Sequence, residues 1–226
     1  MIFGDLDIAI KRSSRKTVSI FIERDGSVSA RVPEKLSDDE IKEVLKSKEY
    51  QIFKNLAEWE QLNEKRTNRE YVNGQSFLYL GRNYRLNISS EASLKLTLKN
   101  GYFLLHQSQK GKAKELFIEF YKEKLNEKIT PIIDRYKNQL GVSPNEVKIM
   151  ELQNRWASCS NKGNVNFHWK CAMAPIDVLS YIVVHELAHL IHHNHTTAFW
   201  NEIDKVYPNY DKQVQWLKLN GAGMDL

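Results

Sequence analysis

The segment Val183-Val184-His185-Glu186-Leu187-Ala188-His189-Leu190-Ile191 constrains this chain more than any other. Positions four apart on an α-helix lie on one face a single turn apart, so two imidazoles there can bind one Zn2+ at ~2.0–2.1 Å. Glu186 is offset by about 100° from His185. It can reach water at the metal without displacing it, as a general base must. The opposite face carries Leu179, Val183, Leu187 and Leu190, which buries the helix beneath the site. A purely structural zinc usually has four protein ligands and needs no glutamate beside it, so the pattern predicts a catalytic metal.

Such a metal needs a third ligand, and His192, His193 and His195 follow closely. On a continued helix His193 would lie about 12 Å along the axis from His185, and His192 about 10.5 Å. Neither can then share a tetrahedral ion with both earlier histidines, so the chain must turn back first. Asn194 tolerates the left-handed conformation that ends helices, and Thr196 or Thr197 is placed to cap the next one. That geometry favours His195, with Glu202 on the following helix as the rival. His192 and His193 read as histidines at a helix end.

With 226 residues the chain can bury one or two cores. No apolar run approaches the ~20 residues of a membrane span. The segment MIFGDLDIAIKRSSRK has its charges after its apolar residues, the reverse of a secretory signal. Cys159 and Cys171 form no zinc-ribbon spacing and read as reduced thiols, so a cytoplasmic protein is expected. The formal charge of +5 is concentrated between residues 75 and 150, notably in Lys110, Lys112, Lys114, Lys122, Lys124, Lys128 and Lys137. Glu115, Glu119, Glu123 and Glu127 interleave with them at helical spacing, so much of the run reads as a solvated helix face. A weak nucleic-acid affinity of this basic region is the alternative reading.

The fold class expected is α+β: a β-rich N-terminal region over 1–108 with one helix, then a zincin-like helical domain with a small sheet over 109–226. Residues 17–22 and 27–32 flank Asp25-Gly26 as a hairpin. Ser37 with Glu40 is a capping box opening a helix that runs toward the polar stretch Asn63 to Asn68. Further strands are expected at 77–80, 84–88, 94–98 and 102–106, punctuated by Gly81 and Asn100-Gly101. Residues 112–140 read as a helix that Pro131 kinks or restarts and Gly141 ends. Short strands at 147–152, around Trp156 and at 165–167 follow. Pro175 then fits the first turn of the histidine helix, and helices near 197–206 and 210–219 complete the pattern.

The stretches Arg155-Trp156-Ala157-Ser158-Cys159-Ser160 (with Asn154 before them), Gly163-Asn164-Val165-Asn166-Phe167 and His185 to Trp200 together resemble the YgjP-like family of zinc metallopeptidases, related to the SprT-like and WLM peptidases. Arg12 to Ser19 and Phe77 to Tyr84 extend the resemblance over nearly the whole chain. It implies that His185, His189 and His195 are the metal ligands and Glu186 the catalytic residue. It also implies Zn2+ as cofactor and a polypeptide as substrate. Ala157 departs from the glycine usual in the family's R-W-G-S-C run. Arg155, His192, His193, Tyr207 and Tyr210 are unranked candidates to stabilise an oxyanion. The same metal and base suit a phosphoanhydride, although no glycine-rich phosphate loop is present.

Overall fold

The computed structural model describes residues 1–23, 25–63, 69–153 and 155–226. Residues 64–68 of the expected polar stretch and Asn154 lie outside them. Two compact units emerge, Met1–Arg66 and Thr67–Leu226.

In the first unit, strands β1 (Ile2–Phe3), β2 (Leu6–Ser13), β3 (Ser19–Ile22) and β4 (Val28–Pro33) form a sheet in the order β1-β2-β4-β3. β3 and β4 are the antiparallel hairpin, whereas β2 and β4 run parallel. Ser37 caps α1 (Asp38–Ser47), with the reciprocal Glu40 bond in place. The single expected helix is in fact two. Lys48 leaves helical geometry (φ −108°, ψ 7°), its N–H shared between Leu45 and Lys46 carbonyls, before α2 (Glu49–Asn63) begins. No glycine or proline marks that break in the sequence. Ile8, Val28, Ala30 and Val32 of the sheet bury with Ile41, Leu45 and Ile52 of the helices.

The second unit begins with the sheet β5-β6-β8-β7, made of β5 (Ser76–Tyr79), β6 (Arg82–Ser89), β7 (Thr97–Lys99) and β8 (Tyr102–His106). Two-residue turns join its antiparallel pairs. Asn100-Gly101 links β7 to β8 with φ 52° and 81°, and Leu80-Gly81 links β5 to β6 with φ 47° and 77°. Both positive angles are what such turns require, and leucine is an unusual occupant.

α3 (Ala113–Leu140) lies in the same core as this sheet. Phe77 stacks on Phe117 at 4.2 Å, and Phe103 meets Phe117 and Phe120 at 5.0 and 5.2 Å. The division between units therefore falls at 66/67 rather than at 108, since strands 76–106 bury their inward faces against α3. Helix α3 also runs unbroken through Pro131. A proline inside a helix costs about 3 kcal/mol. Here residues on both sides, Phe117, Phe120, Tyr121 and Leu125 before and Ile129, Ile133 and Tyr136 after, are buried in one core and offset it.

A third sheet, order β10-β11-β9, comprises β9 (Glu146–Met150), β10 (Ala157–Cys159) and β11 (Asn164–His168). A 3₁₀ turn, Trp169–Met173, leads to α4 (Ile176–Ala188), followed by α5 (Thr197–Val206) and α6 (Asp211–Asn220). Buried Lys170 pairs with Asp225, and Met224 is buried beside that anchor. Several lysines of the basic stretch are paired, Lys95 with Glu123, Lys124 with Glu127 and Lys137 with Asp134. Among the described residues no helix is long and apolar enough to cross a membrane.

Candidate metal centre

Helix α4 brings His185, Glu186 and His189 to one end of the second unit. Val183, Val184, Leu187 and Ala188 are buried, so the helix is held on its apolar side. Pro175 stands at its N-cap, one residue before the first turn. The helix ends at Ala188, with His189 as C-cap (φ −67°, ψ −16°). The Leu190 N–H bonds to Leu187 O and the Ile191 N–H to Ala188 O, a tightening of the last turn. This corrects the expectation of a left-handed Asn194. That residue is not among the described residues of positive φ, and the reversal is spread over 189–194 instead. The Thr196 N–H bonds to Asn194 O, and Thr196 is the N-cap of α5 without a side-chain capping bond.

The reversal delivers His195. The ligand atoms of His185, His189 and His195 all lie within 4.8 Å of one another, and the Nε2 atoms of His185 and His195 are 3.0 Å apart. Two ligands of a tetrahedral ion bound at ~2.05 Å are ~3.3 Å apart, so the donor set fits a zinc-sized cation. Beneath them lies the fully buried ring of Phe199, 5.0, 4.5 and 4.8 Å from the three imidazole centroids. Glu202, the rival ligand, is outside this cluster and pairs with Lys205 at 2.7 Å.

Burial, reinforced by His189 and His195, lowers the His185 pKa to about 3, and burial also lowers that of His189. Both stay neutral, the form that ligates metals. The His189 Nδ1–H donates to His192 O at 3.0 Å, and His185 Nδ1 is hydrogen-bonded with Tyr181 Oη at 3.4 Å. Such bonds fix the tautomer and ring orientation of a ligand.

Glu186 is only 6% exposed, and its Oε2 is buried with no hydrogen-bond partner. Burial raises its pKa to about 8, against the opposing pull of the Arg155 guanidinium. A buried, orphaned carboxylate oxygen on the residue after His185 suits a group that receives a proton from a small molecule.

Strand β10 packs near α4 and is the open edge of its sheet. The Ser160 N–H bonds to Asn164 O, and the His168 N–H bonds to Trp156 O. In an antiparallel ladder inward-bonding residues alternate, so Trp156, Ser158 and Ser160 bond toward β11. The backbone groups of Ala157 and Cys159 point to the open edge.

Of the oxyanion candidates, the Tyr207 hydroxyl donates to Asp177 O at 2.8 Å, and the His192 carbonyl is engaged by His189. His193 and Arg155 are exposed. Tyr210 is stacked between Tyr181 and Trp200. Tyr181, Phe199 and Trp200 are site neighbours that the sequence reading misses. Tyr181 is detectable in principle, since four residues before His185 puts it on the same helical face.

A family model described as the YgjP-like metallopeptidase domain matches residues 16–220. The chain is also similar to the solved zymogen of the metallopeptidase abylysin from Pyrococcus abyssi. That alignment has 28% identity and a TM-score of 0.33, covering 35% of this chain and 80% of the other. No curated protein matches it significantly. Matched over nearly its whole length, the chain belongs to the YgjP-like family of metallopeptidase domains.

Proposed function

We propose that the chain hydrolyses peptide bonds with one zinc ion held by His185, His189 and His195 and with Glu186 as the general base. The observation that carries this is the convergence of the ligand atoms of His185, His189 and His195 within 4.8 Å of one another, with the buried, unpartnered carboxylate of Glu186 next in the chain to His185. A zinc ion held by these three histidines would supply Lewis-acid chemistry, acidifying water and polarising the scissile carbonyl. Glu186 accepts the proton of the attacking water and passes it to the nitrogen of the leaving amine, as the new C–O bond forms and the C–N bond breaks. Its place one residue on from His185 keeps the carboxylate off the ligand positions.

The open edge of β10 favours a peptide over a nucleotide. An extended chain laid along it can bond to the outward backbone of Ala157 and Cys159 beside α4. No comparable feature of the described residues addresses a phosphate chain. The deciding experiment offers zinc-loaded protein both an unfolded polypeptide and nucleoside triphosphates, with Glu186→Gln in parallel. The polypeptide alone should be cleaved. Glu186→Gln should keep its zinc while turnover falls about 10²- to 10⁴-fold. Full activity in that variant would remove the base assignment, and nucleotide hydrolysis alone would remove the peptidase reading.

A further inference from the structure

The three imidazoles are not supported alike. His185 and His189 each have a second nitrogen hydrogen-bonded, to Tyr181 and to the His192 carbonyl. His195 has no such bond to Nδ1 among the described residues, and it is the exposed member of the triad on a segment outside any helix. What it has is a ring. Trp200 stacks on His195 at 5.6 Å and 26°. Tyr210 stacks on Trp200 at 5.4 Å and 13°, and Tyr181 on Tyr210 at 5.9 Å and 7°. The column thus starts on α4, one turn before His185, and returns through α5 and the N-cap of α6 to the third histidine.

We infer that Trp200, backed by Tyr210, is the positioning residue that holds His195 in ligating orientation, by ring stacking in place of a hydrogen bond. The inference rests on the three-histidine reading above. The Trp200 ring stacks on both His195 and Tyr210. Rotation of the indole is therefore opposed by α6 as well as by its own helix. Phe199 meets His195 edge-on at 4.8 Å and 79°, which sets the depth of the imidazole but leaves its tilt to Trp200. Tyr210 touches no ligand, so its effect on the metal passes through Trp200 to His195 and, by its other stack, through Tyr181 to His185.

The test uses the full chain, stripped by a chelator and titrated with Zn2+ against a chromophoric competitor. Loss of an orienting neighbour typically weakens metal binding about 10- to 100-fold, and that is expected for Trp200→Ala. Trp200→Phe should remain within about threefold of the parent, since a smaller ring still stacks. Tyr210→Phe should bind as the parent does and Tyr210→Ala about tenfold more weakly, because the ring and not the hydroxyl is used. Zn2+ should also perturb tryptophan emission, and Trp200→Phe should abolish most of that change. Should Trp200→Ala fail to fold, Trp200→Leu takes its place: apolar but without a ring, it should bind Zn2+ about tenfold or more weakly than Trp200→Phe, and equal affinity of the two would overturn the inference. Parent-like affinity in Trp200→Ala or Tyr210→Ala, or equal losses in Trp200→Phe and Trp200→Ala, would overturn the inference. His195→Ala is the control: if it binds Zn2+ unchanged, the three-histidine reading fails instead.

Discussion

Gly81 lies so close to Pro175 that a Cβ on residue 81 would come within 2.7 Å of the proline Cγ. Its φ of +77° is itself a conformation that side chains resist. The Leu80 N–H bonds to Ala172 O at 2.9 Å and the Gly81 N–H to Met173 O at 2.8 Å. The tip of the β5–β6 hairpin is thus fastened to the 3₁₀ turn immediately before α4. Left-handed backbone at a non-glycine residue costs about 1–3 kcal/mol, and the proline contact adds to it. Gly81→Ala should lower unfolding stability by about 3 kcal/mol. It should also move the start of α4, read as weaker zinc binding at the proposed three-histidine site. A denaturant melt and a zinc titration check the two effects separately.

Tyr121 should govern part of the alkaline stability. It is fully buried, and its hydroxyl donates to Leu78 O at 2.7 Å. Burial raises the phenol well above its ordinary 10.0. Above pH ~10 the unfolded chain has released that proton while the folded chain keeps it, so stability falls as pH rises. Below that range the contribution is intact. Tyr121→Phe should cost about 1 kcal/mol at neutral pH, from the lost hydrogen bond. It should also flatten the decline between pH ~10 and ~12. Melts across that range would show parallel curves if the phenol played no part.

Lys170 is buried and its partner Asp225 keeps 25% of its side-chain surface exposed. Removing one member of a buried pair leaves a charge stranded, at a cost of about 3–5 kcal/mol. The partial exposure of Asp225 places Lys170→Ala near the low end of that range, about 3 kcal/mol. Replacing both groups by apolar residues, Lys170→Met with Asp225→Leu, should recover most of the loss. A double-mutant cycle with no coupling would mean that the pair does not anchor the C-terminal turn.

The parts of this molecule legible from its residues are those governed by local rules. The period of a helix puts His185 and His189 on one face, whereas the reversal that brings in His195 begins at the end of α4, at Ala188, and not at Asn194, so spacing points to His195 without showing the turn that delivers it. The Ser37–Glu40 box and the Asn100-Gly101 turn are local in the same sense. Non-local burial is what spacing does not carry. Alternation in Phe77, Tyr79 and Phe103 marks an inward face, yet it does not say that α3 covers that face, and a boundary at 108 looks natural without that knowledge. Pro131 misleads for the same reason, since only the shared core on both sides keeps α3 continuous. The aromatic column joins residues 181, 195, 200 and 210 across three helices, and spacing reveals only the Tyr181–His185 step.

The edge of β10 makes a prediction about substrates that depends on the proposed peptidase activity. Outward N–H and C=O groups at Ala157 and Cys159 recur every second residue, and a peptide paired with them must present its own groups with the same period. Methylating the backbone nitrogen of a substrate residue removes one donor and leaves the side chain in place. A donor whose loss strands a carbonyl of β10 is worth about 1–3 kcal/mol, or about 5- to 150-fold in kcat/KM. Scanning that methyl group along a cleaved peptide should therefore produce alternating strong and weak losses. The strong positions are those whose N–H faces β10, and the neighbours between them point away and tolerate it. A uniform loss would indicate steric exclusion, and no loss would indicate side-chain recognition alone. Either result would place the peptide away from this edge while leaving the histidine centre and Glu186 unaffected.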